Sequence, residues 1–421
     1  MGLFDVEFWK KIQPPKEKQF LHGLYDGLFT LFFKPNEVTH KGTHIKGPMD
    51  LKRLMIHVVI ALSLCYAFGA YNVGHQHFLA LGEYTGIFDA LHLKLIIGLI
   101  SLLPIFVVSN LVGLAIEFYF AAKKGHAIEE GYLVTGALIP LIMPPDIPLW
   151  MLTLSIIFAV IIGKEAFGGT GMNVINIALL ARAFIFFAYP TEISGDSPWV
   201  AAIDFENGLT DYSFLHTMFN GFFSWMDWSV FVGGQPLLES FTGATPLVLA
   251  RTGGWEAVTE VYSPIAMFVG GIPGCIGETS KLAIIVGIGI LLLTRIASWR
   301  IMLSMALGVI LTGMLFNAIG ANMGSYSSYM SVPWYNHFLM GGLLFALAFM
   351  ATDPVTACGT NTGKWIYGFL IGFFGMVIRV MNPAYAEGWM LAILLMNVFA
   401  PTIDFYVVDA NISRRLKRVK T

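Results

Sequence analysis

The sequence predicts an all-α integral membrane protein: about ten transmembrane helices in two inverted five-helix repeats, several of the helices broken. Three observations carry this. Of the 421 residues, 56% are hydrophobic and only 12% charged, and mean hydropathy is +0.70, well above the apolar share of about 45–50% in soluble domains. Apolar stretches long enough to cross a hydrocarbon core of roughly 30 Å recur along the chain. Pro, Gly and Asn interrupt several of them, as in Ile142-Met-Pro-Pro-Asp146, Gly168-Gly-Thr-Gly-Met-Asn173 and Thr352-Asp-Pro354. Backbone groups freed at membrane depth must be satisfied by protein, water or ligand, so such breaks point to a binding site.

Taken in order, the spans are expected at about 54–73, 95–122, 132–150, 149–163, 175–189, 281–294, 301–319, 337–351, 365–380 and 387–403. This divides the chain into an N-terminal arm (1–53), a first five-helix repeat (54–189), an external segment (190–280), a second repeat (281–405) and a basic tail (406–421). The arm carries no apolar core ahead of a small-residue cleavage site, so no signal peptide is expected. Within it, Leu21 to Phe33 reads equally as an interfacial helix or a docked soluble one.

Charge sets the orientation. Between Pro190 and Thr279 stand ten acidic residues and one basic, Arg251, whereas the first 53 residues hold nine basic residues and the last eight hold five. The positive-inside rule places both termini in the cytoplasm and the 190–280 segment outside, with Lys164 on an inner loop and Arg379 near an outer helix end. The net charge of −2 gives no reason to expect nucleic acid as a partner. Cys65, Cys275 and Cys358 are far apart and odd in number, which predicts neither a disulfide framework nor a metal site.

Five spans on each side of the external segment force the second half to run upside down. Pro145-Asp146 is echoed by Asp353-Pro354, and Lys164 with Asn173 and Asn176 by Arg379 with Asn382. A repeat of this kind places a ligand site between the halves. Glu117, Asp353 and Asp404 are ionisable groups in or beside spans, where charge is costly unless it meets a partner or water. Arg182 reads either as a phosphate ligand or as the partner of an acid. Phe184, Phe186, Phe187 and Tyr189 read either as a stacking surface for a planar cofactor or as an interfacial aromatic belt.

The segment Glu239-Ser-Phe-Thr-Gly-Ala-Thr245 resembles the flavin-attachment sequence of the NqrB/RnfD family, the membrane subunits of the bacterial sodium-pumping NADH:quinone oxidoreductase and of the Rnf complex. Further stretches carry the same resemblance: Asp50-Leu-Lys-Arg53, Lys164-Glu-Ala-Phe-Gly-Gly-Thr-Gly171, Ile272-Pro-Gly-Cys-Ile-Gly-Glu278, Ala297-Ser-Trp-Arg300, Met350-Ala-Thr-Asp-Pro354 and Asn382-Pro-Ala-Tyr385. The polar N-terminal arm favours the sodium-pump branch. The resemblance implies FMN joined to Thr245 by a phosphoester, and a noncovalent riboflavin held by Thr135, Asn173, Asn176 and Asp353. It implies a ubiquinone region at Gly113, Leu114 and Glu117, and a sodium path past Glu117, Asp353 and Asp404. It also implies a six-subunit complex, NqrA to NqrF, in a bacterial inner membrane. Three positions depart from the family pattern: Glu239 for the usual Asp, Ile177 for a Pro after Asn176, and Leu114 for the second Gly of a pair. No strand precedes a GxGxxG, so NADH is expected to bind another subunit. Two alternatives remain: an Rnf-type subunit and a non-redox channel or transporter of similar topology.

Overall fold

The computed structural model describes residues 51–419 except 125–130, 170, 194–196, 205–206, 212–233, 239–240, 242, 324–326, 383–384 and 386; before residue 51 it describes Lys11, residues 13–15 and Tyr25. The expected interfacial segment from Leu21 to Phe33 thus lies almost wholly outside the described residues, as do Glu239 and Thr242.

The first half comprises α1 (Leu51–Leu81), α2 (Leu91–Lys124), α3 (Tyr132–Ile142), α4 (Leu149–Gly163) and α5 (Ile177–Ala188). A connecting segment holds a small antiparallel hairpin, β1 (Ile203–Asp204) and β2 (Leu209–Thr210), then α6 (Pro246–Val261) and α7 (Pro264–Val269). The second half comprises α8 (Lys281–Leu293), α9 (Trp299–Met323), α10 (Leu343–Phe345, continuing as a π-helical turn Ala346–Met350), α11 (Asn361–Met381) and α12 (Trp389–Val419).

Six of these helices are long and apolar enough to cross a membrane, and α3, α5 and α8 are shorter apolar helices. At 1.5 Å per residue the 11 residues of α3 reach only about 16 Å, half a hydrocarbon core. The third span was expected to run to residue 150 but stops at Ile142, because Pro144 and Pro145 supply no amide donors and disfavour helical backbone in the residue before each. The last span was expected to end near residue 403. It instead continues through the basic tail to Val419, where residues of good helix propensity offer nothing to stop it.

The packing repeats. α2 lies against α3 and α4, α4 against α5, and α3 against α1 and α5. In the second half α9 lies against α10 and α11, α11 against α12, and α10 against α8 and α12. The halves meet through α1 with α8 and α5 with α12, which are equivalent partners in a pseudo-twofold arrangement. The pairing of α1 with α2 is far closer than that of α8 with α9.

Close helix approach depends on small residues, since lipid gives no hydrophobic drive between helices. A methyl at Gly98 of α2 would strike the Ala70 carbonyl of α1, and one at Gly372 of α11 would strike the Met305 carbonyl of α9.

Candidate functional site

Two of the clefts among the described residues open at opposite ends of the bundle. One lies at the start of α5 and the end of α8, the other at the end of α5 and the start of α8.

The first, of about 820 Å³ with its mouth, is lined by Thr135, Lys164, Asn173, Asn176 and Asp353 among apolar residues that include Leu138 and Phe349. All four residues implied for riboflavin therefore face one space, although α3, the α4–α5 linker and the segment after α10 supply them. Asn176 caps α5, its Oδ1 accepting from the Leu179 amide at 3.2 Å, and its Nδ2 donates to Asp353 Oδ2 at 3.4 Å. Asp353 also accepts from the Val355 amide and the Thr356 hydroxyl, each at 3.1 Å. The break in each half thus holds the break in the other. Ile177 is the first helical residue after the Asn176 cap. At that position a proline's missing amide would have been unpaired in any case, so this departure costs no backbone hydrogen bond.

Lys164 was expected on an inner loop. It is buried instead and ion-paired with Glu117 of α2. A methylene stem and one acid allow a lysine to enter a core that a solvated loop charge would avoid. Gly113 makes room for the Tyr132 ring, whose hydroxyl donates to the Ser109 carbonyl at 2.8 Å. Leu114 packs half-buried beside it. Asp404 of α12 is occupied: it accepts from the Gly359 amide at 2.6 Å, the Thr360 amide at 3.1 Å and the Thr360 hydroxyl at 2.5 Å. It so ties α12 to the start of α11.

The second cleft, of about 810 Å³, is lined by Thr245, Arg182, Arg251, Glu278, Lys281 and Glu387, with Trp199, Phe186 and Tyr385 as aromatic wall. Thr245 is the N-cap of α6: its Oγ1 accepts from the Val248 amide at 3.4 Å, and Pro246 follows as the first helical residue. Tyr262 and Tyr329 hold this helix start, donating to the Ala244 carbonyl at 3.0 Å and the Leu247 carbonyl at 2.7 Å. Thr245 lines the cleft and is 8% exposed.

Charges surround it. Arg182 donates to the Ile142 carbonyl at 2.5 Å and lies 3.9 Å from Glu387 Oε1, so it takes the acid-pairing role. Lys281 donates to the carbonyls of Glu278 at 2.5 Å and Gly341 at 3.0 Å. Arg379 is buried, stacks on Trp389 at 4.9 Å and donates to the carbonyls of His337 and Met340. Burial and the neighbouring Glu387 raise Glu278, in the loop before α8, to about 7, against the pull of Arg182 and Lys281. Sequence reasoning missed Glu278, Lys281 and Glu387 as a site. Their signal was charge flanking Gly- and Pro-rich breaks, as at Ile272 to Lys281, a stretch that entered only through the family resemblance. The aromatic run divides: Phe186 meets Tyr385 edge-on at 4.3 Å, whereas Phe187 is 68% exposed.

A model of the NQR2, RnfD, RnfE family matches residues 38–413. The chain belongs to that family. Among its curated relatives is the B subunit of the Na(+)-translocating NADH-quinone reductase of Chromohalobacter salexigens, 43% identical over 94% of this chain and 91% of the relative. The proteins of the same name from Ectopseudomonas mendocina and Haemophilus influenzae are each 41% identical over 94% of this chain and 94% of the relative.

Proposed function

We propose that this chain is the NqrB membrane component of a Na+-translocating NADH:quinone oxidoreductase, a translocase subunit that carries FMN on Thr245 and riboflavin in the Asp353 cleft. The convergence of Thr135, Asn173, Asn176 and Asp353 on one cleft carries the reading. Its apolar walls suit the faces of a planar tricyclic ring, and amide, hydroxyl and carboxylate groups suit a ring edge that presents both donors and acceptors. A phosphate on Thr245 would sit at the N-terminus of α6, where the positive end of the helix dipole favours an anion. Bound flavins supply the electron chemistry; the chain supplies position, shielding from water and local field.

In this reading NADH is oxidised on another subunit of a six-subunit assembly in the bacterial inner membrane, both termini are cytoplasmic, and the Thr245 cleft faces the periplasm. Ubiquinone approaches α2 at Gly113, Leu114 and Glu117. The Glu117–Lys164 pair links that helix to the riboflavin cleft. Sodium passes near Glu117, Asp353 and Asp404, and since Glu117 and Asp404 are already engaged by protein donors, they act chiefly by shaping the field along the path. The names of the relatives favour the sodium pump over the Rnf branch of the family.

A denaturing gel tests the redox reading against a plain transporter. Protein made with its flavin transferase should show a fluorescent band at the mass of this chain; a dark band would refute covalent flavin on it.

A further inference from the structure

Among the described residues the last helix keeps one face uncovered. α12 runs unbroken from Trp389 to Val419, 31 residues, which at 1.5 Å each reach about 46 Å, roughly 16 Å more than a hydrocarbon core. It packs on α11, α5 and α10, and its buried residues Ile393, Met396, Asn397 and Ala400 share one side of the helix by their spacing. On the opposite side apolar residues recur at every seventh position: Leu391, Val398, Phe405, Ile412 and Val419. Val398, Phe405 and Ile412 are 55%, 67% and 51% exposed, and Val408 and Leu416 border the line, also exposed. A seven-residue apolar repeat is the pattern by which one helix seats another in a left-handed crossing.

Lipid accounts for only the first part of this line. Counted from Trp389, about 20 residues cross the hydrocarbon. Phe405 therefore lies near its edge, and Ile412 and Leu416 stand beyond it, among Arg414, Arg415, Lys417 and Arg418. Every residue from Val408 to Arg418 is exposed. A helical stretch open to water all round should be polar all round, and at this length it is marginal on its own. This stretch instead keeps its apolar line in the same register as the span before it. Lipid imposes no repeat, so a register held across both zones points to one helical partner running through both. Charge describes the far end of that partner. Between residues 408 and 418 stand four cations and one acid, Asp409, which complement acidic residues on the facing turns.

We propose that this line docks a helix of another subunit of the complex, one that crosses the membrane beside α12, follows it past the bilayer and carries acidic residues at that end. The proposal rests on the reading of the chain as one subunit of a larger assembly and on neither flavin.

The test uses the whole complex in its native membrane, with a benzoylphenylalanine photo-crosslinker placed at Phe405, at Ile412 or, on the far side of the helix, at Ala410. After irradiation and purification, mass spectrometry maps each adduct. Phe405 and Ile412 should both join the same membrane-spanning subunit, at points about seven residues apart on one helix with acidic residues beside the second. Ala410 should join nothing on that helix. Ile412→Asp gives a second measurement: it should cut the co-purified amount of that subunit about tenfold, while this chain elutes as a single species at unaltered yield. Adducts to lipid alone, to a second copy of this chain, to residues 1–50 of this chain or to a soluble subunit would overturn the seam. Equal labelling from Ala410, or full association in Ile412→Asp, would do the same. The subunit reading survives those outcomes if other subunits co-purify with wild type; a wild-type chain that purifies alone overturns both.

Discussion

Lys164 and Glu117 show how far a single pair can decide the behaviour of this protein. Both are buried and matched to each other, so removing one partner leaves an uncompensated charge in a low-dielectric place, at a cost of about 3–5 kcal/mol. Lys164→Met should therefore lower the thermal midpoint of the solubilised protein sharply, and the double variant Lys164→Met with Glu117→Gln should recover most of it. Equal midpoints for the single and double variants would show that the pair is not coupled. The residues of the Asp353 cleft give a second expectation. Asn176→Ala deletes both a helix cap worth about 1 kcal/mol and the contact to Asp353, so it should deplete noncovalent riboflavin while leaving covalent flavin in place. Flavin extraction into acid separates the two pools, and an unchanged extractable pool would contradict the assignment. At this scale the sequence was partly legible. Residues with family motifs were found, whereas the pairing of Lys164 and the meeting of Glu278 with Glu387 in one cleft were not, because an isolated charge near a helix end looks solvated until its partner from a distant helix is known.

Among the elements, α11 and α12 are joined through one acid. Asp404 accepts three hydrogen bonds from Gly359 and Thr360 at the start of α11, and Thr360 in turn caps that helix by accepting from the Gly363 amide at 3.1 Å. Loss of such charge-assisted bonds costs about 1–3 kcal/mol. Asp404→Ala should therefore lower the thermal midpoint and, by weakening the field on the ion path, raise the sodium concentration for half-maximal turnover. A lower midpoint with unaltered sodium dependence would make Asp404 a clamp alone. Hydropathy located every long span because crossing lipid demands length and apolarity together. It misjudged the ends: the proline pair that stops α3 looked like a kink inside a longer span, and the charged continuation of α12 looked like a tail.

For the whole molecule, inversion of the second half is what turns one folding pattern into two clefts at opposite ends, one carrying Asp353 and the other Thr245. The charge bias predicts that an impermeant maleimide labels a cysteine placed at Asp211 in intact cells and does not label one at Arg415; the reverse pattern would turn the molecule over in the membrane. The repeat was legible from odd crossing number and from the echo of Pro145-Asp146 in Asp353-Pro354. The pairing of α1 with α8 and α5 with α12 was not, since contacts between halves leave no periodic trace in a uniformly apolar sequence. The central claim is that this subunit carries flavin through Thr245, and its most direct test is the mass of the peptide from Gln235 to Arg251. Wild type and Thr242→Val, made with the flavin transferase, should both carry one FMN-sized adduct, and Thr245→Val should carry none while keeping riboflavin in the Asp353 cleft. An adduct that survives in Thr245→Val, or is absent from wild type, would contradict the account.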